Sequence, residues 1–232
     1  MIIGNGLLAS AFDAQWAEDY QVVLFASGVS NSNECRPEAF KREADLLIDQ
    51  LDRASGKFVY FSTCSISDPD RGSSQYAKHK LEMERLVGNH GDHLILRLPQ
   101  VVGRTPNPNT LTNFLAGRLK SGLEIPVWTQ TLRCLVDVEH VAVITRLLVT
   151  KGTQRLTDEI APPEVIAMSQ LIDLMEEVLN VKAIRTNIDK GGGVIPDSTL
   201  MASLAQDAGI DIRPGYTLRL LQKYYGRPLS NA

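Results

Sequence analysis

The chain has 232 residues, 44% of them hydrophobic, which is long for one small core yet within range for a single α/β domain with an appended lobe. Lys and Arg number 24 against 27 Asp and Glu, a formal charge of −3, which gives no sign of a nucleic-acid surface. The three cysteines, Cys35, Cys64 and Cys134, are odd in number, widely spaced and free of any C-x-x-C pair, so neither a disulfide framework nor a metal site is expected, and a reducing cytoplasm fits. No basic leader precedes an apolar segment at the N-terminus, and the apolar run at 141–149 is broken by Arg146, so no membrane span is expected.

In chain order, Met1–Ile3 predicts a short strand that runs into Gly4-Asn5-Gly6-Leu7-Leu8-Ala9, a G-x-G-x-x-A turn, and then a helix over Leu7–Trp16. In such a turn Gly4 permits the tight bend, and Gly6 lets backbone approach a pyrophosphate. The small Ala9 lets the helix pack on the strand, with the amides of Leu7 and Leu8 aimed at phosphate. A strand over Tyr20–Ala26 leads to the small-residue loop Ala26-Ser27-Gly28-Val29-Ser30, and helical spacing follows over Arg36–Ala54. The run Lys57–Ser62 reads as a strand ending at Thr63. A turn-rich stretch over 67–74 then leads into a helix over Tyr76–Asn89, with Ser73 or Ser74 as its N-cap. Further on come a strand over His93–Arg97, a loop over 105–109, a helix over Thr110–Ser121 and a short strand near Val127-Trp128. Helices are predicted over Val138–Val149, Ser169–Leu179 with Ser169 as N-cap, Ser198–Ala208 and Thr217–Tyr224, with Gly88 and Gly122 as C-cap glycines. Continuous apolar strands alternating with helices imply a parallel sheet covered on both faces.

Tyr76 and Lys80 are four apart and share one helix face, and a hydroxyl at the end of a nearby strand, Thr63, can reach the phenol. A free phenol titrates near ~10, and an ammonium within ~4–6 Å favours the phenolate, which suits general acid/base catalysis. The plain alternative has Tyr76 packing at a helix start and Lys80 solvated. Arg133, in an otherwise apolar run, forms either an ion pair with Asp137 or a bidentate contact with a diphosphate. Gln100 either contacts a sugar hydroxyl or caps its loop. Cys64 reads as a small buried residue, His79 and His140 as surface or packing residues, and Gly191-Gly192-Gly193 as a loop rather than a phosphate cradle.

In these motifs the chain resembles the short-chain dehydrogenase/reductase superfamily, in particular its extended branch of nucleotide-sugar epimerases, dehydratases and reductases. The likeness runs through Gly4–Ala9, Phe58–Ser65, Tyr76 with Lys80, Leu96–Gly103, Arg133–Ala142 and the segment from Gly209 to Gly226. It implies a Rossmann-type doubly wound parallel sheet plus a small C-terminal substrate lobe. The implied division is a nucleotide-binding core over 1–103, continued by 133–150, and a lobe over 104–132 and 151–232. It also implies Tyr76 as acid/base, Lys80 as the group that lowers its pKa and holds the nicotinamide ribose, and Thr63 as the group that orients the substrate oxygen. NAD or NADP would lie against Gly4, Asn5, Gly6, Leu7, Leu8, Ala26, Ser27, Gly28, Tyr76, Lys80 and Pro99. A nucleotide-sugar would meet Cys64, Ser65, Gln100, Asn113 and Arg133. A cytoplasmic enzyme, as a homodimer, that epimerises or reduces the sugar follows from this likeness. The competing reading is a catalytically silent relative that binds a nucleotide or a partner as a regulator.

The departures from that pattern carry expectations of their own. Only the strand Tyr20–Ala26 separates the glycine turn from the helix before Lys57, so about one strand-helix-strand unit is missing and fewer strands are expected. The acidic ribose partner usual about 20 residues beyond the glycines is replaced by Phe25-Ala26-Ser27-Gly28. By position that strand is the second of the fold, yet its loop reads like the fourth, and right-handed crossovers argue against joining the first strand directly to a fourth. Cys64 and Ser65 stand where the sugar dehydratases place an acidic pair, which disfavours dehydration.

Overall fold

The computed structural model of the chain describes residues 1–12, 16, 21–68 and 72–226. The apolar runs form one parallel sheet from β1 (Ile2–Ile3), β2 (Val22–Phe25), β3 (Lys57–Thr63), β4 (His93–Leu98) and β8 (Leu156–Glu159), in the order β1-β2-β3-β4-β8. Every neighbouring pair is parallel, with Ile3 opposite Phe25, Phe25 opposite Tyr60 and Thr63 opposite Leu98. β2, β3 and β4 are largely apolar because both faces are covered, whereas the edge strand β8 reads Leu-Thr-Asp-Glu. Leu24, Val59, Phe61, Leu94 and Leu96 face the larger core, while Val23, Phe25, Phe58, Tyr60 and Ile95 face a second cluster. That second cluster is closed by Leu47 of α1 (Pro37–Arg53) and by Met83 and Val87 of α2 (Gln75–Gly88).

The question left by the sequence about β2 has a clear answer. β2 lies between the glycine-turn strand and the strand that ends in Thr63, so β1 is an edge strand among the described residues. Five strands make this sheet among the described residues, fewer than the pattern of the extended branch implies. The link from β1 to β2 begins as a short 3-10 turn over Ala9–Ala11 rather than a helix from Leu7. The rest of the helix predicted over Leu7–Trp16, and Tyr20 of the predicted strand, fall largely outside the described residues.

Two smaller sheets were not visible as strands in the sequence apart from β6. β5 (Gln100–Val102) runs parallel to β7 (Leu132–Asp137), which pairs antiparallel with β9 (Val165–Ala167). β6 (Ile125–Trp128) runs parallel to β10 (Arg185–Ile188). β10 reads Arg-Thr-Asn-Ile and is mostly exposed, so nothing in its own pattern marks a strand; its partner defines it. The remaining helices are α3 (Leu111–Lys120), α4 (Val138–Thr150), α5 (Met168–Leu179), α6 (Thr199–Leu204) and α7 (Tyr216–Tyr225).

Capping follows side-chain chemistry in most places. Ser74 Oγ accepts from the Ala77 amide at 3.1 Å, and Asp137 from the Glu139 amide at 2.9 Å. Ser169 is not a cap: α5 starts at Met168 behind Ala167, which has no side chain to offer. Gly88 is the last residue of α2 instead of its left-handed cap, whereas Gly122, at φ +61°, closes α3 with the Leu123 amide donating to the Arg118 carbonyl at 2.9 Å. α7 is pinned across the molecule: Lys223 and the Tyr224 hydroxyl each reach Asp137 at 2.7 Å, and the Tyr225 hydroxyl reaches Thr112 and Asn113 of α3.

The glycine turn is built on a close approach of backbone to backbone. Gly4 has φ +124°, and a Cβ there would lie 2.5 Å from the Ala26 carbonyl oxygen, whereas a Cβ on Gly6 would meet nothing within 4 Å. Gly4→Ala is therefore expected to destabilise the protein by about 1–3 kcal/mol in urea denaturation, with Gly6→Ala within about 1 kcal/mol of wild type. Equal effects of the two would show that the turn does not depend on this approach.

Candidate functional site

A cavity of about 370 Å³ opens at the carboxyl ends of β1 to β4. This is the edge at which open parallel sheets bind ligands. Asn5, Gly6, Leu7 and Leu8 line it from the turn after β1, and Ala26, Ser27 and Gly28 from the loop after β2. Gly4 supports that turn from behind and does not line the cavity. Thr63, Ser65, Tyr76, Lys80, Pro99 and Gln100 complete the sequence-predicted residues on its wall.

Local chemistry sets the state of each hydroxyl. Thr63 Oγ1 accepts from the Ser65 amide at 3.1 Å as the N-cap of the turn Cys64–Ser67, which leaves its own proton to donate. Ser62 Oγ, which sequence reasoning passed over, is buried on the cavity wall with no hydrogen-bond partner. Tyr76 is 8% exposed, and its hydroxyl has no hydrogen bond to the described residues.

The lysine has a partner that the sequence reading missed. Lys80 Nζ donates to Glu43 Oε1 at 2.9 Å and to the Tyr60 hydroxyl at 3.1 Å, and it lies 6.0 Å from the Tyr76 ring centroid. Glu43, on α1, is fully buried and also accepts from the Val29 amide at 2.6 Å and the Tyr60 hydroxyl at 2.7 Å. Its other oxygen meets His79 Nε2 at 3.1 Å, and the His79 ring packs on Phe40 at 4.7 Å. Burial opposes the charged carboxylate, but the Lys80 ammonium, the His79 and Val29 N–H groups and the Tyr60 hydroxyl outweigh it and hold Glu43 down at about 2. Burial beside that carboxylate pushes the Tyr60 phenol well up. Gly28 is part of this packing, since a Cβ there would lie 2.5 Å from Lys80 Nζ and 3.0 Å from Glu43 Oε1. The signal in the sequence was a glutamate four residues before Leu47, on the buried stripe of α1.

Three predicted substrate contacts lie elsewhere. Cys64 is buried with its thiol pushed up, first by burial and then by Glu159 and Cys134, and it does not reach the cavity. Asn113 is occupied in holding its own loop: Nδ2 donates to the Thr105 and Asn107 carbonyls at 2.9 and 2.8 Å, and Oδ1 accepts from Tyr225. Arg133 lines a second cavity, of about 480 Å³, with Trp128, Thr131, Lys190, Gly191 and Gly192. The Asp137 ion pair is made by Lys223 instead of Arg133. Ser32 lines both cavities.

The three glycines gain a steric reason here. Gly191 has φ +104°, and a Cβ on it would overlap the Thr131 hydroxyl, which is buried without a partner. Lys190, just before them, places its Nζ 4.7 Å from the Trp128 ring centroid. Among the described residues no cluster of His, Cys, Asp and Glu suits a metal ion, and no helix is long and apolar enough to cross a membrane.

No protein-family model matches the chain, and no curated protein does either. Solved structures match it over most of its length. RMD from Pseudomonas aeruginosa, complexed with NADPH, is 19% identical with a TM-score of 0.66, covering 97% of this chain and 89% of that one. The fold shared with it is a Rossmann-type parallel α/β sheet flanked by helices. UDP-glucuronic acid 4-epimerase from Bacillus cereus, in complex with UDP-glucuronic acid and NAD, is 16% identical with a TM-score of 0.69 over 88% of this chain and 75% of that one. UDP-glucose 4-epimerase from Thermotoga maritima, with UDP-glucose, is 18% identical with a TM-score of 0.67 over 88% and 77%.

The Glu43 network makes stability depend on acid. The folded carboxyl sits at about 2 against an ordinary 4.5, so its contribution is present above 4.5 and is lost as pH falls toward 2. Denaturation at a series of pH values is expected to show this fall in the wild type and a shallower one in Glu43→Gln over the same window. Parallel curves would mean that the carboxylate is not held in this way.

Proposed function

We propose that the chain is an NAD(P)-dependent enzyme that epimerises or reduces the sugar of a nucleotide-linked sugar. The observation that carries this reading is that Thr63, Tyr76, Lys80 and the open glycine turn border one cavity at the carboxyl edge of the sheet. The solved neighbours with NAD, NADPH or UDP-sugars support it. On this reading residues 1–103 and 133–150 form the nucleotide-binding core, and 104–132 and 151–232 the substrate lobe.

The residues fit a dinucleotide over its pyrophosphate-to-nicotinamide length. Open space beside Gly6 admits the phosphates to the Leu7 and Leu8 amides, and the unpartnered Ser62 hydroxyl awaits a ligand. At the adenosine end the fit is looser, because β2 ends in Phe25-Ala26-Ser27-Gly28 without a carboxylate and β1 is the edge strand. Bound there, the cofactor would supply hydride chemistry. The protein would supply position and protons: Tyr76 exchanges a proton with the reacting sugar oxygen, while the Ser62 and Thr63 hydroxyls donate hydrogen bonds to it. Lys80 spends two of its three N–H donors on Glu43 and Tyr60 and keeps one for a ligand hydroxyl. Arg133 and Lys190 line the second cavity with one carboxylate, Asp68, and on this reading the two cations receive a diphosphate.

A second reading, a silent relative that binds a nucleotide or partner, is favoured by one observation: the Lys80 ammonium is paired with a carboxylate. Titration with NADH and NADPH followed by cofactor fluorescence separates the two. The expected result is measurable binding with little preference at the 2′ position, weaker by about one to two decades than with the missing charge-assisted bond, since such a bond is worth roughly 1.5–3 kcal/mol. A folded Gly6→Val variant should lose that affinity, and Tyr76→Phe should keep it while losing turnover of a nucleotide-sugar. No binding of either dinucleotide at millimolar concentration would favour the silent reading.

A further inference from the structure

Two cations, Lys80 and Arg42, border the first cavity, and among the described residues no aspartate, glutamate or histidine does. Lys80 already faces a carboxylate, with Nζ 2.9 Å from Glu43 Oε1. Arg42, the residue before Glu43 on α1, is exposed and makes no hydrogen bond or ion pair with the described residues. Its other neighbour, Lys41, is paired with Asp45 at 2.5 Å and lies off the cavity. The uncompensated positive charge that the cavity offers a ligand therefore resides on Arg42.

The loop after β2 shares that wall. Ser27 and Ser30 line the cavity, and neither hydroxyl has a hydrogen bond to the described residues. Between them the Val29 amide donates to Glu43 Oε2 at 2.6 Å, which ties the loop to α1 at the residue next to Arg42. The same loop starts against the glycine turn, where a Cβ on Gly4 would lie 2.5 Å from the Ala26 carbonyl oxygen. Two donor sets thus stand on adjoining loops: the Leu7 and Leu8 amides after β1, and Arg42 with two serine hydroxyls beside β2. A planar guanidinium fork and hydroxyl donors suit phosphate oxygens, which accept hydrogen bonds. A separate observation marks the cavity as one that receives a ligand: the buried Ser62 hydroxyl on its wall has no partner in the protein.

We propose that Arg42, with the Ser27 and Ser30 hydroxyls, is a phosphate-binding subsite of the first cavity, which works beside the glycine turn to hold the two phosphates of a diphosphate ester. A dinucleotide and a nucleotide-sugar both carry that group. The subsite does not depend on catalysis; only the choice between these two ligands rests on the enzymatic reading given above.

The test is calorimetric titration of the full chain with inorganic pyrophosphate at low ionic strength, where an exposed charge is least screened. Arg42→Gln is expected to weaken binding about tenfold, the size of one charge-assisted hydrogen bond, and Arg42→Lys to retain part of the affinity. Lys41→Gln, one residue away and off the cavity, should leave the affinity within about twofold of wild type. The Arg42→Gln loss should also appear in a Lys190→Gln background, which removes a cation from the second cavity. Because Arg42 is exposed and holds no partner, Arg42→Gln should keep the wild-type urea midpoint. No pyrophosphate binding by the wild type, unchanged affinity in Arg42→Gln, an equal loss in Lys41→Gln, or binding abolished by Lys190→Gln alone each overturns the proposal. Titrations with NADH and with UDP-glucose then separate the two sources of the diphosphate: the ligand whose affinity falls in Arg42→Gln is the one whose phosphates lie there. If neither ligand binds while the pyrophosphate result holds, the enzymatic reading fails and the subsite stands.

Discussion

Placing a lysine and a glutamate side by side in the interior removes both from water, which is tolerable only when every remaining donor and acceptor is satisfied. The Glu43 carboxylate of α1 comes close to that condition by taking groups from three other segments: the Val29 amide after β2, the Tyr60 hydroxyl of β3, and His79 and Lys80 of α2, while Lys80 keeps one donor that faces the cavity. Removing one partner of such a pair leaves the other charge buried alone, at a cost of about 3–5 kcal/mol. The cluster therefore locks α1, α2 and the loop after β2 in one arrangement, and that arrangement is one wall of the first cavity. Gly28 has no room for a side chain because the ion pair occupies it.

The position of β2 has the same kind of consequence. With β2 inserted between β1 and β3, the glycine turn, the Ala26–Ser30 loop and Thr63 end side by side at one sheet edge. Nothing beyond β1 among the described residues extends the sheet. The close approach of Gly4 to the Ala26 carbonyl is the contact that fixes this geometry.

The part of the molecule after β4 is assembled by long-range contacts. β7 brings Arg133 to the second cavity and ends in Asp137, which caps α4 and receives Lys223 and Tyr224 of α7. Tyr225 completes the link by binding Asn113, whose amide holds the 105–107 loop beside the first cavity. Asn113 thus shapes a wall of the site from behind, by hydrogen bonds within the protein.

The sequence by itself determined the local elements and the motifs carried on them. The apolar runs of β1 to β4, the helices α1 to α7, the Ser74 cap, the glycine turn and the shared face of Tyr76 and Lys80 all follow from spacing and residue type, which act over a few residues. The tertiary structure alone decided what those elements meet. β10 and β8 are strands because of their partners, and β2 chose its neighbours through pairing that no local pattern encodes. Lys80 found Glu43 across 37 residues of chain, Arg133 opened onto a different cavity from Thr63, and Cys64 turned inward. The reason is physical: periodicity reports which face of an element is buried, whereas the partner of a buried charge is set by which distant groups packing brings within hydrogen-bonding distance.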